Sequence, residues 1–91
     1  MYLISDYSYK KAKDLNVEIK PSKTKTKKID VFKDGHLIAS IGALGYKDYP
    51  TFIKENGVEY ANKKRELYRK RHKKDLNNKS GNGFWANKIL W

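Results

Sequence analysis

The residues best suited to chemistry lie in one run, 63–75, which reads KKRELYRKRHKKD. The run holds eight Lys or Arg against one Glu and one Asp. Guanidinium and ammonium groups bind phosphate oxygens, and Arg69 and Arg71 have the planar geometry for bidentate contacts. Like charges three and four residues apart also repel one another on a helix unless something offsets them. A solvated helix face accounts for several of these lysines, but the density of charge favours a surface that binds an anion.

Catalysis has much weaker support. His72 and Asp75 stand three residues apart, a helical spacing at which a carboxylate orients an imidazole base. The other acids are spread singly, without the cluster that holds a divalent metal, and no GxxxxGK[ST] phosphate loop occurs. Cysteine is absent, which excludes thiolate zinc sites and a cysteine nucleophile. We therefore expect no enzyme, with no catalytic residue, no metal site and no cofactor.

Length and charge set the class of protein. A chain of 91 residues makes one small domain, 1–91, and its formal net charge of +11 favours association with polyanions. Nucleic acid is the commonest polyanion, although an acidic protein surface or an anionic lipid face also fits. A hydrophobic fraction of 38% is enough for a folded core. No apolar stretch approaches a membrane span and the N-terminus lacks signal-peptide order, so we expect no membrane span and no secretion.

The clearest local signal is a hairpin at Asp34-Gly35, because a two-residue Asp-Gly loop favours the type I′ turn, in which both residues take positive φ. If these two residues form the loop, Val31 faces Ile38 and Ile29 faces Ser40. Upstream, Ser5 or Asp6 is a candidate helix N-cap, and downstream Pro50 suits the first turn of a short helix that ends at Asn56-Gly57.

A second basic run, 20–28, contains five lysines and no acid. Because such a run cannot bury itself, the sequence predicts a basic loop or a charged edge strand. Its lysines are either simply solvated or add to the anion-binding surface. The candidate binding residues of this run are Lys23, Lys25 and Lys27.

A long helix over 58–76 is predicted from a run of good helix formers without Gly or Pro. Tyr60, Ala61, Leu67 and Tyr68 define its packed side, and the rest of its circumference is a cationic ridge. The candidate anion-binding residues of the 63–75 run are Lys63, Lys64, Arg65, Arg69, Lys70, Arg71, His72, Lys73 and Lys74.

Aromatic residues supply the remaining candidates. Tyr46, Tyr49 and Phe52 flank a Gly-rich turn, where they either stack on exposed bases or belong to the core. The closing segment, 84–91, is strongly apolar and contains two tryptophans, so it is predicted to dock on the domain. Together the elements predict an α+β fold: an antiparallel hairpin or three-stranded sheet packed with one long basic helix and short helices.

The hairpin with SIGA, the GYKDYPT turn, the LYRKRHKKD helix and the GFWANKILW tail resemble a family of small basic proteins of large DNA viruses of eukaryotes. That family has no assigned function, so the resemblance implies a viral setting, in the virion or the infected cell, and no mechanism. Two functions remain open. One is nucleic-acid binding through phosphate contacts with little sequence preference. The other is a minor structural protein that bridges larger, acidic capsid components.

Overall fold

Three antiparallel strands form a sheet in the order β1-β2-β3. The computed structural model describes residues 2–74, 76 and 81–91 of the chain. Strand β1 is Glu18–Pro21, β2 is Lys27–Lys33 and β3 is His36–Ala43. Between β2 and β3, Asp34 and Gly35 have φ angles of 51° and 80°. The predicted hairpin and its two positive φ angles are therefore confirmed.

The register of the hairpin differs from the predicted ladder after two pairs. Phe32 pairs with Leu37 as expected, but an irregularity between Val31 and Phe32 pairs Val31 with Ala39 instead of Ile38. Ile29 then pairs with Ile41. An extra residue in one strand exchanges the faces of every residue beyond it. As a result Ile29, Val31, Ala39 and Ile41 share one buried face, and Ile38 is partly exposed.

The described residues also form four helices: α1 is Asp6–Asp14, α2 is Tyr49–Asn56, α3 is Val58–Arg71 and α4 is Asn82–Leu90. Ser5 caps α1 by accepting a bond from the Ser8 amide at 3.2 Å. Asp48 caps α2, and Gly57, with φ of 90°, separates α2 from α3. Helix α3 is shorter than predicted. It ends at Arg71, and residues 72–74 form a turn. The sequence at this turn contains no Gly or Pro that would have predicted the end of the helix.

Helix α4 joins the sheet to the α2–α3 pair. It contacts β3 and α1, and Ser8 Oγ donates to the Ile89 carbonyl at 2.9 Å. The C-terminal Trp91 stacks on Tyr68 with ring centroids 4.4 Å apart and lies 6.0 Å from the Phe52 ring. Ile89, Leu90 and Trp91 are all buried, so the apolar tail packs in the domain core.

Gly42 allows β3 to pass close to α4. Its φ is 75°, and a Cβ there would lie 2.7 Å from Leu90 Cδ1 and 2.9 Å from Lys28 Cδ. Any other residue at this position would have a strained backbone, and the side chains of Leu90 and Lys28 would have to shift. The close approach keeps the end of α4 against the same part of the sheet that carries Lys28.

The architecture is α+β, as predicted: the part of the chain that the structure describes forms a three-stranded antiparallel sheet and four helices in one small domain. The buried apolar residues of the sheet, α1, α2, α3 and α4 form one continuous core. No helix within the described part of the chain is long and apolar enough to cross a membrane.

Candidate anion-binding cleft

A cleft of about 830 Å³ lies where β2, β3, segment 43–48 and helices α2, α3 and α4 meet. We call it the cationic cleft. Its basic lining residues are Lys27, Lys28, Lys47, Lys64, Lys70, Arg71 and His72. Among the described lining residues, Asp48 supplies the one carboxylate. Cations from three separate stretches of sequence therefore converge on one concave surface.

Aromatic side chains contribute to the lining of the cleft. Phe52, Tyr68 and Trp91 line it; Phe52 and Tyr68 each pack against Trp91, which is only 8% exposed. Tyr46 also lines it but is 76% exposed. Tyr49 is buried, and its hydroxyl donates to Asn62 Oδ1 at 2.7 Å. Of the three aromatics named as candidates for base stacking, Tyr46 presents its ring to solvent, Phe52 is half-buried and Tyr49 belongs to the core.

Lys28 is a buried cation, contrary to the prediction that the 20–28 run cannot bury itself. Its Nζ lies 3.0 Å from Asp48 Oδ2, and the two side chains are only 6% and 1% exposed. Asp48 also accepts from the Tyr2 hydroxyl at 2.6 Å and from the Thr51 hydroxyl at 2.6 Å. Lys28 Nζ donates in addition to the Tyr46 carbonyl. The Lys28 charge is therefore neutralised within the fold. The Lys28–Asp48 pair connects β2 to the segment that carries Tyr46.

Burial, hydrogen bonds and the Lys28 charge together set the pKa values of this cluster. Burial by itself raises the pKa of Asp48, but hydrogen bonds from Thr51 and Tyr2 and the charge of Lys28 outweigh it, so the pKa lies below its ordinary value. The Tyr2 hydroxyl behaves oppositely. Burial, and then the bond to Asp48, raise its pKa above the ordinary value. Asp48 stays ionised and Tyr2 stays protonated at neutral pH, which keeps the cluster intact.

The rest of the 20–28 run divides between an edge strand and a turn. Lys20 lies in β1, which is an edge of the sheet, and residues 22–26 form the connection to β2. Asp30 anchors that connection by accepting from Ser22 Oγ at 2.6 Å and from the Lys23 amide at 3.3 Å. Burial opposes ionisation of Asp30, but bonds from Ser22, Ser40 and the Lys23 amide leave its pKa below the ordinary value.

The three candidate lysines of the 20–28 run differ in their relation to the cleft. Lys23 and Lys25 are exposed on the turn and do not line the cleft, whereas Lys27 is half-buried and does. The Leu44 amide donates to the Thr26 carbonyl at 3.0 Å, which joins the turn to the segment along the cleft. Of the three lysines predicted here, the structure brings one into the site.

Helix α3 divides its cations between two sides. Lys64, Lys70 and Arg71 line the cleft, and His72 follows them in the turn. Lys64 Nζ lies 5.9 Å from the centroid of the Phe52 ring, which places it over the aromatic lining. No described carboxylate comes within 4.0 Å of a Lys or Arg nitrogen of α3. Their charge is not matched by the described acids of the domain.

The two arginines on the other side of α3 contact the domain. The Arg65 guanidinium lies 4.2 Å from the centroid of the Tyr49 ring. Arg69 Nε donates to the side-chain oxygen of the buried Asn87 at 3.0 Å. Residues two apart on a helix point about 200° apart, so Arg69 and Arg71 face different surfaces. Arg65 and Arg69 line a second groove of about 510 Å³ together with Lys73.

The remaining predicted cations do not enter the cleft. Lys63 and Lys74 are exposed and line neither groove. The His72 ring lies 4.4 Å from the Tyr68 ring, beside the stack with Trp91. The predicted pairing of His72 with Asp75 lies outside the described residues. Within residues 2–74, 76 and 81–91, no group of three or more His, Asp or Glu is placed to hold a metal ion.

Lys47 is a cleft residue that the sequence reasoning missed. Its Nζ lies 2.6 Å from Glu55 Oε1 in an exposed ion pair, and Glu55 raises its pKa. The sequence feature that could have identified Lys47 is its position between two aromatic residues in GYKDYP, where a turn exposes side chains. A single lysine outside a charge run carries little weight in a sequence this basic.

Comparison of the chain with protein-family models, curated proteins and solved structures finds no match. The functional proposal therefore rests on the geometry and charge of the cleft.

Proposed function

We propose that the protein binds nucleic acid through phosphate contacts made in the cationic cleft, with little sequence preference. The observation that carries this proposal is the convergence of five accessible cations on one concave surface. They are Lys27, Lys47, Lys64, Lys70 and Arg71. The carboxylate in the same lining, Asp48, is already engaged by Lys28, Tyr2 and Thr51. The cleft is thus left with a strong excess of positive charge.

A polymer of phosphates suits this arrangement better than a single anion. The five cations come from β2, segment 43–48 and α3, so they can neutralise several charges along a chain. Lysine ammonium groups act as point charges on phosphates, and phosphate contacts carry no sequence information. Binding should therefore weaken as salt increases. Five contacts to a single strand correspond to a slope of log K against log salt of about −3.5.

The test compares two variants that lose the same charge. Lys64→Gln with Arg71→Gln removes two cations from the cleft, whereas Lys63→Gln with Lys73→Gln removes two cations of the same run that do not line it. Affinity for a labelled oligonucleotide of mixed sequence is measured by fluorescence anisotropy across a salt series. The cleft pair should weaken binding about tenfold and reduce the steepness of the salt slope by about 1.4. The control pair should change affinity by less than about twofold.

Two results would contradict the proposal. Equal losses in both variants would mean that diffuse net charge, and not the cleft, accounts for binding. Failure to bind oligonucleotides of either DNA or RNA, combined with salt-sensitive binding of polyglutamate, would instead support an acidic protein as the partner. Circular dichroism spectra confirm that each variant is folded before affinities are compared.

A further inference from the structure

Tyr46 differs from the other described aromatic residues in its exposure. At 76% exposed it leaves most of its ring in water, whereas Tyr9 and Tyr60 are 49% and 41% exposed and the remaining aromatics are more buried. An aromatic side chain normally contributes to stability by being buried, so an exposed ring beside a binding cleft adds nothing to the core. Tyr46 nevertheless lines the cationic cleft.

Both backbone polar groups of Tyr46 make hydrogen bonds. The Tyr46 carbonyl accepts from the buried ammonium of Lys28, and the Tyr46 amide donates to the Ala43 carbonyl at 3.3 Å. Two residues later, the buried Asp48 caps helix α2. The ring therefore projects from an anchored segment, and binding to it would not require ordering a loose loop.

The other aromatic rings of the cleft already have partners. Tyr68 and Trp91 stack on each other with an interplanar angle of 11°. Phe52 packs against Tyr60 and Trp91 and lies under the Lys64 ammonium. An incoming planar group can find an open ring face at Tyr46.

We propose that Tyr46 stacks on an unpaired base, so that the cationic cleft selects single-stranded over double-stranded nucleic acid. This inference rests on the proposed function and adds the class of strand. A base in a duplex is stacked on its neighbours and cannot offer its face to a protein ring, whereas stacking on aromatics is a general mode of single-strand binding. The cleft, at about 830 Å³, lies in the range of pockets that enclose small ligands. A single strand can follow the cations along the lining of the cleft and place one unpaired base on the Tyr46 ring.

The experiment uses Tyr46→Ala, with Tyr46→Phe as the conservative variant and Tyr9→Ala as the control. Tyr9 is a partly exposed tyrosine on α1 that does not line the cleft. Affinities are measured for a single strand, for the duplex of the same sequence and for a single strand of abasic sites. The abasic strand keeps every phosphate and has no base to stack.

The wild type should bind the single strand about tenfold more tightly than the duplex. Tyr46→Ala should lose about that factor on the single strand and leave the duplex and abasic strand unchanged, while Tyr46→Phe and Tyr9→Ala behave as wild type. An equal loss on all three ligands, or no loss on any, would overturn the stacking role while leaving phosphate binding intact. Absence of nucleic-acid binding by the wild type would remove the proposed function and this inference together.

Discussion

Lys28 and the cations of helix α3 line the same cleft, but they differ in whether a carboxylate of the domain pairs with them. Lys28 is buried, paired with Asp48 and bonded to the Tyr46 carbonyl. Lys64, Lys70 and Arg71 line the same space, and no described carboxylate lies within 4.0 Å of them. The difference shows that a count of basic residues does not measure binding capacity. A cation that is buried and paired within the fold, as Lys28 is, contributes little to binding an external anion.

A similar contrast holds between the two sides of α3. Arg65 packs over Tyr49 and Arg69 bonds to Asn87, so both guanidinium groups help to hold α3 on the domain. On the cleft side, Arg71 is exposed. The same residue type thus has a structural role on one side and is available to a ligand on the other.

The largest expected effect comes from removing the partner of the buried cation. Asp48→Ala should lower the free energy of unfolding by about 3–5 kcal/mol, because it leaves the Lys28 ammonium buried without its carboxylate. Chemical denaturation measures the change. Asp14→Ala, which removes an exposed acid at the end of α1, should stay within about 0.5 kcal/mol. A small effect at Asp48 would mean that the charges in the cleft lining are as loosely held as those of α3.

Acid should reduce the difference between wild type and Asp48→Ala. The pKa of Asp48 is depressed in the folded protein, so its contribution to stability is present above the ordinary carboxyl pKa of about 3.9 and is lost as the pH falls below that value. The two proteins should therefore converge in stability in strong acid. A constant difference at all pH values would exclude an ionised Asp48.

Arginines on the two sides of α3 should give opposite results. Arg69→Ala removes the bond to the buried Asn87 and should cost about 1–2 kcal/mol of stability, with little change in oligonucleotide affinity. Arg71→Ala should leave the melting temperature unchanged and weaken binding about threefold, as expected for one phosphate contact. Thermal melts and anisotropy on the same samples measure both. Equal effects on affinity would show that α3 is one uniform charged surface.

The smallest expected effect is an increase in affinity for an oligonucleotide. Glu55→Gln releases the Lys47 ammonium from its exposed ion pair, and affinity for an oligonucleotide at low salt should rise about twofold. Glu59→Gln removes the same charge from α3 at a position that does not line the cleft. Affinity should rise more in the first variant than in the second. Equal gains would indicate that only net charge matters and that Lys47 does not contact the ligand.

Local signals in the sequence correctly predicted several elements. Asp34-Gly35 produced the hairpin, Ser5 the cap of α1, and Pro50 and Gly57 bracketed α2. Each depends on the conformational preferences of one or two residues, which act within a few positions along the chain. The irregularity at Val31 and Phe32 carries no such signature, and it changed which side chains are buried.

The composition of the cleft was harder to predict than the presence of a basic surface. Lys27 and Arg71 were both candidates, but Lys28 was not expected to be buried and Lys47 was not considered. Burial of a lysine depends on a carboxylate that is distant in sequence, here Asp48. The residues next to Lys28 in the sequence do not indicate that it will pair with Asp48.

The excess of positive charge, the α+β class and the apolar tail follow from the amino-acid order itself, because composition, periodicity and turn propensity act locally. Which cations remain available depends on the tertiary structure. Packing brings Asp48 to Lys28 and Asn87 to Arg69, and it brings Lys47, Lys64 and Arg71 into the lining of one cleft. Electrostatic interactions depend on distance and on exclusion of water, and both are set by how the chain folds in three dimensions.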